Sequence, residues 1–228
     1  MLLLFKVYLD NIEVRTINVK RYCYCYLRYI YTDKIEVRTT NVYGLTYASE
    51  KYMLDVIKNE CKKFLAANIN EDYACVVLQI ANTFHLEDLQ KDALQFVFSH
   101  GKYCLESTSF LSLSSGCVKL IIESDKLNCT EEIIYQKMIQ WAKQQCKKEQ
   151  HVTGNDGKRV TAKDKQLRKV LGDLIYLIRF PIMQRKYFTE KVSTKNVLTL
   201  EEMVAIYQSF DGKKICTFPA HVRFLMLS

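Results

Sequence analysis

The stretch Asp164–Met183, DKQLRKVLGDLIYLIRFPIM, decides how this chain is read. Its apolar residues Leu167, Val170, Leu171, Leu174, Leu177 and Ile178 recur at spacings of three and four, which places them on one face of a helix. Ile175 and Phe180 widen that face, so the stretch is predicted to pack on more than one side. Pro181 cannot continue the helix and biases Phe180 away from helical angles, so a stop or kink follows the most apolar turn. Leu174, Leu177 and Ile178 are read as core, with the other helices packed around them. Arg179 is a charge set among these apolar residues. Either it is structural, its guanidinium capping carbonyls or pairing with a carboxylate, or it is catalytic; the structural role is the expected one.

Working outward, the composition agrees with a helical chain. The 228 residues suit one large domain or two small ones. Nearly half are apolar, and seven Gly with two Pro are too few for a propeller, a sandwich or a disordered chain. The nine Cys are scattered and form no CxxC, so they are read as reduced core residues of an intracellular protein and not as a disulfide framework or zinc ribbon. MLLLF at the start is interrupted by Lys6, too soon for a signal peptide, and no apolar run approaches the length of a membrane span. The net charge of +8 is uneven: Lys143–Lys169 holds nine Lys or Arg against Glu149, Asp156 and Asp164.

Along the chain, YLDNIEVRTINV (Tyr8–Val19) recurs as YTDKIEVRTTNV (Tyr31–Val42). Two copies are too few for a solenoid, so the repeat is a local duplication or a misassembled reading frame. Ile35–Thr39 alternates apolar and polar residues and is predicted as a short half-exposed strand. Helices are predicted next: one capped by Asn41, one over Leu54–Ala67 with Val56, Ile57, Cys61, Phe64 and Leu65 inward, one capped by Asn70, and one over Glu87–His100. Shorter elements follow to Ser124. Asn128 with Glu131 three residues on suggests a capping box for a helix reaching Lys148, in which Trp141 is a core anchor. His151–Lys163 reads as an exposed, mobile loop. Thr199 is predicted to cap a last helix ending at Asp211-Gly212, with strand-like Ile215–Phe218 beyond.

Little here suggests an enzyme. The four His, at 85, 100, 151 and 221, fall in separate elements, and no GxGxxG, GxxxxGK[ST] or GxSxG occurs. No catalytic, cofactor-binding or metal-ligating residue is assigned, and His85 is read as structural or surface. The Lys143–Lys169 stretch has the clustered cations that phosphate binding needs but lacks interleaved aromatics. A solvated loop is the reading preferred there over a nucleic-acid contact.

The order of the motifs resembles a BTB (POZ) domain protein with its BACK domain. LRYIYTD (Leu27–Asp33) and NVYGLTYASEKYMLDVIKNECKKFL (Asn41–Leu65) are similar to the closing half of a BTB fold. ACVVLQIANTFHLEDL (Ala74–Leu89) resembles the helix pair called the 3-box. FLSLS (Phe110–Ser114), LNCTEEIIYQKMIQWAKQQC (Leu127–Cys146) and VLGDLIYLIRFPIM (Val170–Met183) resemble the BACK domain. The versions most similar to it carry a C-terminal PHR β-sandwich. The resemblance covers roughly residues 27–210. It implies a mainly α chain: an aberrant duplicated segment over 1–26, the C-terminal half of a BTB/POZ fold over 27–68, the 3-box helix pair over 69–100, a helical BACK domain over 101–210 and a tail over 211–228.

The function this implies is a non-catalytic scaffold, a substrate adaptor of a cullin-3 ubiquitin ligase or a fragment of one. Its partners would be cullin-3, an unidentified substrate protein and a BTB partner chain, with no membrane and no nucleic acid. The contact residues carried over for cullin are Tyr31, Asn70, Tyr73, Phe84 and His85. The alternative is a nucleic-acid-associated or nuclear BTB-type regulator acting through its basic loop. The expected location is the cytoplasm, with the nucleus second. The first half of a BTB fold and the PHR sandwich are not matched. The stretch Asn18–Tyr26 lacks the acidic residue of the family's hydrophobic-x-Glu motif. The usual BTB dimer is therefore not expected, and the cullin contact is expected to be smaller than the family's.

Overall fold

The computed structural model describes residues 35–150, 160–213, 218–221 and 223, and these are mainly α-helical with no strand among them. Helices α1 (Val42–Lys51) and α2 (Asp55–Ala67) form one hairpin, and α3 (Ala74–Thr83) and α4 (Glu87–Ser99) form a second. Then come α5 (Gly101–Glu106), a 3-10 turn (Phe110–Ser112), α6 (Ser115–Ile122) and the long α7 (Glu131–Gln150). The chain continues through α8 (Val160–Leu171), 3-10 turns at Gly172–Leu177 and Phe180–Ile182, α9 (Arg185–Tyr187) running into a π turn (Phe188–Val192), and α10 (Leu200–Phe210). One apolar core extends from Val42 to Phe218.

The two hairpins turn in the same way. Leu54 N donates to Ser49 O and Leu86 N to Ala81 O, each at 2.9 Å, the six-residue closure that ends a helix with one left-handed residue. That residue is Met53 (φ 54°) in the first and His85 (φ 51°) in the second. An aromatic precedes it and Leu with an acid follows: Tyr52-Met53-Leu54-Asp55 and Phe84-His85-Leu86-Glu87. Asn70 starts the second hairpin as expected, its Oδ1 accepting from Asp72 N at 3.2 Å and Tyr73 N at 3.0 Å.

The Asp164–Met183 stretch is not one helix. α8 ends at Leu171, because Gly172 takes φ +47°, a value glycine adopts without the penalty of a Cβ. The face rotates beyond that point. Ile175 and Ile178 are fully buried and Leu174 nearly so, whereas Leu177 is only half-buried, contrary to its core assignment. The stretch packs mainly on α6, α7 and α10, so it organises the C-terminal half, while the N-terminal hairpins pack on each other.

Four further expectations fail. Ile35–Thr39 is irregular: it runs into a turn clamped by Asn41, whose Nδ2 donates to Glu36 O at 2.9 Å and whose Oδ1 accepts from Arg38 N at 2.7 Å. Val56 faces solvent, because the buried stripe of α2 is the narrower Ile57, Cys61 and Leu65. Asn128 does not cap α7. Its backbone N–H is bound to Phe98 O at 2.8 Å, and it lies against Gly101, where any Cβ would meet Asn128 O at 2.8 Å. Helix α8 starts at Val160, inside the expected loop, the rest of which lies outside the described residues, as do the first repeat copy and residues 214–217.

Two expectations hold closely. Thr199 and Glu202 form a full capping box at the start of α10. Arg168 of α8 then fastens that helix end, giving both its terminal nitrogens to the Glu202 carboxylate at 2.7 and 3.1 Å. Trp141 is 2% exposed and its indole N–H donates to Leu113 O at 2.9 Å. Trp141→Phe would leave that buried carbonyl without its donor. It is expected to lower stability by about 1–3 kcal/mol, read from urea unfolding followed by circular dichroism. An unchanged midpoint would show that the indole N–H contributes nothing.

Candidate functional site

The residues carried over as partner contacts separate into two groups. Asn70 and Tyr73 lie at the N-terminal end of α3, and Phe84 and His85 at its C-terminal end. A ten-residue helix is about 15 Å long, so the two groups do not meet. Tyr73 is half-buried, and its hydroxyl is buried without a partner among the described residues. Burial pushes that phenol up. His85 is exposed at the hairpin turn, and Tyr31 lies outside the described residues.

Phe84 has a neighbour that the sequence reading passed over. Its ring lies 5.4 Å from that of Tyr43, across from α3 to α1. Tyr43 is 49% exposed and Tyr47, one turn on, 51%. Four of the eight exposed large apolar side chains among the described residues belong to the first hairpin: Tyr43, Tyr47, Met53 and Val56. The signal was legible. Val42, Leu45 and Ser49 make the buried face of α1, so tyrosines at i and i+4 between them must point outward. A tyrosine there offers a broad apolar ring and a hydroxyl that stays hydrogen-bonded when covered, which suits a protein surface and not a small polar ligand.

Among the described residues no group of three His, Cys, Asp or Glu could hold a metal ion. A depression of about 360 Å³ is lined by Ser115, Trp141, Gln145, Lys169 and Val170, but its indole N–H and its amide are already bound to Leu113 O and Leu111 O. The six described cysteines are buried. Desolvation pushes the thiols of Cys75, Cys104 and Cys129 up to about 12, and that of Cys61 to about 11.

Such thiols stay protonated and unreactive. They hold their protons at a pH where the unfolded chain, with thiols near the ordinary value of 9.0, has released them. Stability from this source is complete below that ordinary value and declines as pH rises through the folded values. Folded chain at pH 8 is therefore expected to leave Cys61, Cys75, Cys104 and Cys129 unmodified by iodoacetamide, while chain in 6 M guanidinium is modified at all four. Rapid labelling of Cys75 in the native state would contradict its burial.

The densest charged group lies at the start of α7. Arg179 is 2% exposed; it donates to Asp125 and, at 3.1 Å, to His221 O. Glu131, also buried, accepts from Arg179 N at 3.1 Å and from Arg223 Nε. His221 Nε2 stands 3.0 Å from Asp125. The hydrogen bonds from Arg179 and then His221 hold the Asp125 carboxyl below its usual range. Every carboxylate here is matched by a cation, so the cluster is structural, as expected for Arg179.

Among known proteins, residues 74–154 match the BACK family, described as BTB And C-terminal Kelch. The chain is 28% identical over 161 residues to BTB/POZ domain-containing protein 6 of Xenopus tropicalis, covering 71% of this chain and 29% of that protein. It is 29% identical over 179 residues to BTB/POZ domain-containing protein 6-B of Danio rerio, covering 78% and 35%. BTB/POZ domain-containing protein 3 of Mus musculus is 27% identical over 206 residues, covering 90% and 37%. The chain thus spans about a third of the length of the curated relatives it matches.

Proposed function

We infer that this chain, which is similar to the BTB/BACK proteins, is a non-catalytic adaptor that joins a cullin-3 ubiquitin ligase to a substrate protein. The family is one of protein-interaction adaptors. The observation that carries the finer reading is the exposed aromatic face of the first hairpin, Tyr43 and Tyr47 with Phe84 behind them. Rigid aromatic side chains of this kind supply most of the free energy of protein interfaces. His85, next to Phe84 at the hairpin turn, is proposed to join it. No helix among the described residues is long and apolar enough to cross a membrane, and we place the adaptor in the cytoplasm.

Calorimetric titration with purified cullin-3 N-terminal domain tests this. Wild type is expected to bind in the micromolar range, and Tyr43→Ala to lose about 2 kcal/mol, roughly thirtyfold in affinity. Tyr43 is half-exposed, so the change should leave the unfolding midpoint nearly unmoved. Absence of heat with wild type at several hundred micromolar would remove the cullin assignment. Full binding by Tyr43→Ala would remove this face from it.

A further inference from the structure

We propose that the groove between the start of α7, the 124–130 connection and the 177–181 segment is a peptide-recognition site. Its ligand is a short peptide with an aromatic residue followed five positions later by arginine, and the chain's own residues 218–221 and 223 occupy it in cis.

The described part of that segment has neither helix nor strand. It is held at its two ends by buried side chains. The Phe218 ring is 3% exposed and meets Phe180 edge-on, centroids 5.2 Å apart at 87°, with Tyr176 at 5.6 Å. Arg223 is 3% exposed and donates to the Glu131 carboxylate, to Ser124 O and, at 3.4 Å, to Leu177 O. Between them Ala220 and His221 are exposed, and the His221 carbonyl takes its bond from Arg179. Two deep anchors with an exposed middle is how a bound peptide contacts a protein, and aromatics and arginine are the residues that anchor best.

Most of the receiving side is held by contacts that do not involve the segment. Glu131 is fixed by Arg179 N, and Arg179 by Asp125. Phe180 is walled by Tyr135 and Phe188. One thing is missing without the segment. Arg179 Nε lies 4.0 Å from Glu131 and makes no hydrogen bond, so the buried carboxylate needs a second cation. The ligand must supply a planar fork, because the pocket presents three separate acceptors to it: the Glu131 carboxylate, Ser124 O and Leu177 O. A lysine ammonium cannot reach all three.

The test uses the full chain with a protease site inserted after Gly212, cut once folded. The cut tail is expected to stay bound on gel filtration, and a fluorescent peptide of residues 214–228 to exchange into the groove, followed by anisotropy. Peptides carrying Phe218→Ala or Arg223→Lys are expected to bind at least tenfold more weakly. Equal binding of either peptide, or no exchange, would overturn the recognition site. So would loss of the helical signal on cutting, which would make the segment part of the folding core. In uncut chain, Phe218→Ala should leave α7 protected from hydrogen exchange; loss of protection through α7 would overturn the proposal. A dimer of the uncut chain that falls to monomer on cutting would place the segment in a second copy and overturn cis occupancy.

Discussion

Phe180→Ala is expected to cost about 3–5 kcal/mol of folding stability, the range for a fully buried aromatic. Phe180 is fully buried and touches three other rings. Tyr135 lies 5.8 Å away at 67°, Phe188 6.1 Å at 77° and Phe218 5.2 Å at 87°, all edge-on. These come from α7, from the π turn after α9 and from the C-terminal segment, so the site cannot close by shifting one element. The cavity term is then near its maximum, and each lost aromatic pair adds about 0.5–1.5 kcal/mol beyond area. Phe180→Leu keeps most of the volume and is expected to lose less than half as much. The measurement is the urea midpoint at constant m. A loss below about 1 kcal/mol for Phe180→Ala would mean that the rings repack freely, and the aromatic cluster would not be the keystone of the C-terminal half.

Arg179→Ala is expected to cost a similar amount, about 3–5 kcal/mol, because it removes one member of a buried ionic group and leaves the others in place. The His221 carbonyl loses its donor, and Asp125 loses the stronger of its two partners. Glu131 retains Arg223, so the loss stays short of collapse. Arg179→Lys should rescue little, since one ammonium cannot meet both Asp125 and His221 O. The pH dependence separates this from a packing defect. Asp125 is held below its ordinary value of 3.8, with Arg179 the first cause and His221 the second. A depressed carboxyl stabilises the fold above its unfolded value and loses that contribution as pH falls through the folded one. Wild type should therefore weaken as pH drops below about 3.8, and Arg179→Ala should show a flatter acid limb. An unchanged acid limb would mean that Asp125 takes its shift from elsewhere.

Sequence alone determined much of this protein, wherever the deciding interaction is local. The helices over Val42–Lys51, Ala74–Thr83 and Glu87–Ser99 follow from i, i+3, i+4 spacing. The capping box at Thr199 is written within four residues, and the Asn70 cap within three. The family resemblance, the buried cysteines and the structural character of Arg179 were legible for the same reason: each depends on residue type and near neighbours. The tertiary structure decided the rest. Periodicity carried the Asp164–Met183 helix past Gly172, but the chain turns there to bring Phe180 and Arg179 under α7. Asn128 has the sequence of a cap and is claimed instead by Phe98 and Gly101, about thirty residues away. The C-terminal segment shows no periodicity at all. Its place is set by Glu131, 92 residues earlier, and a charge pair at that separation leaves no local pattern for a sequence reading to find.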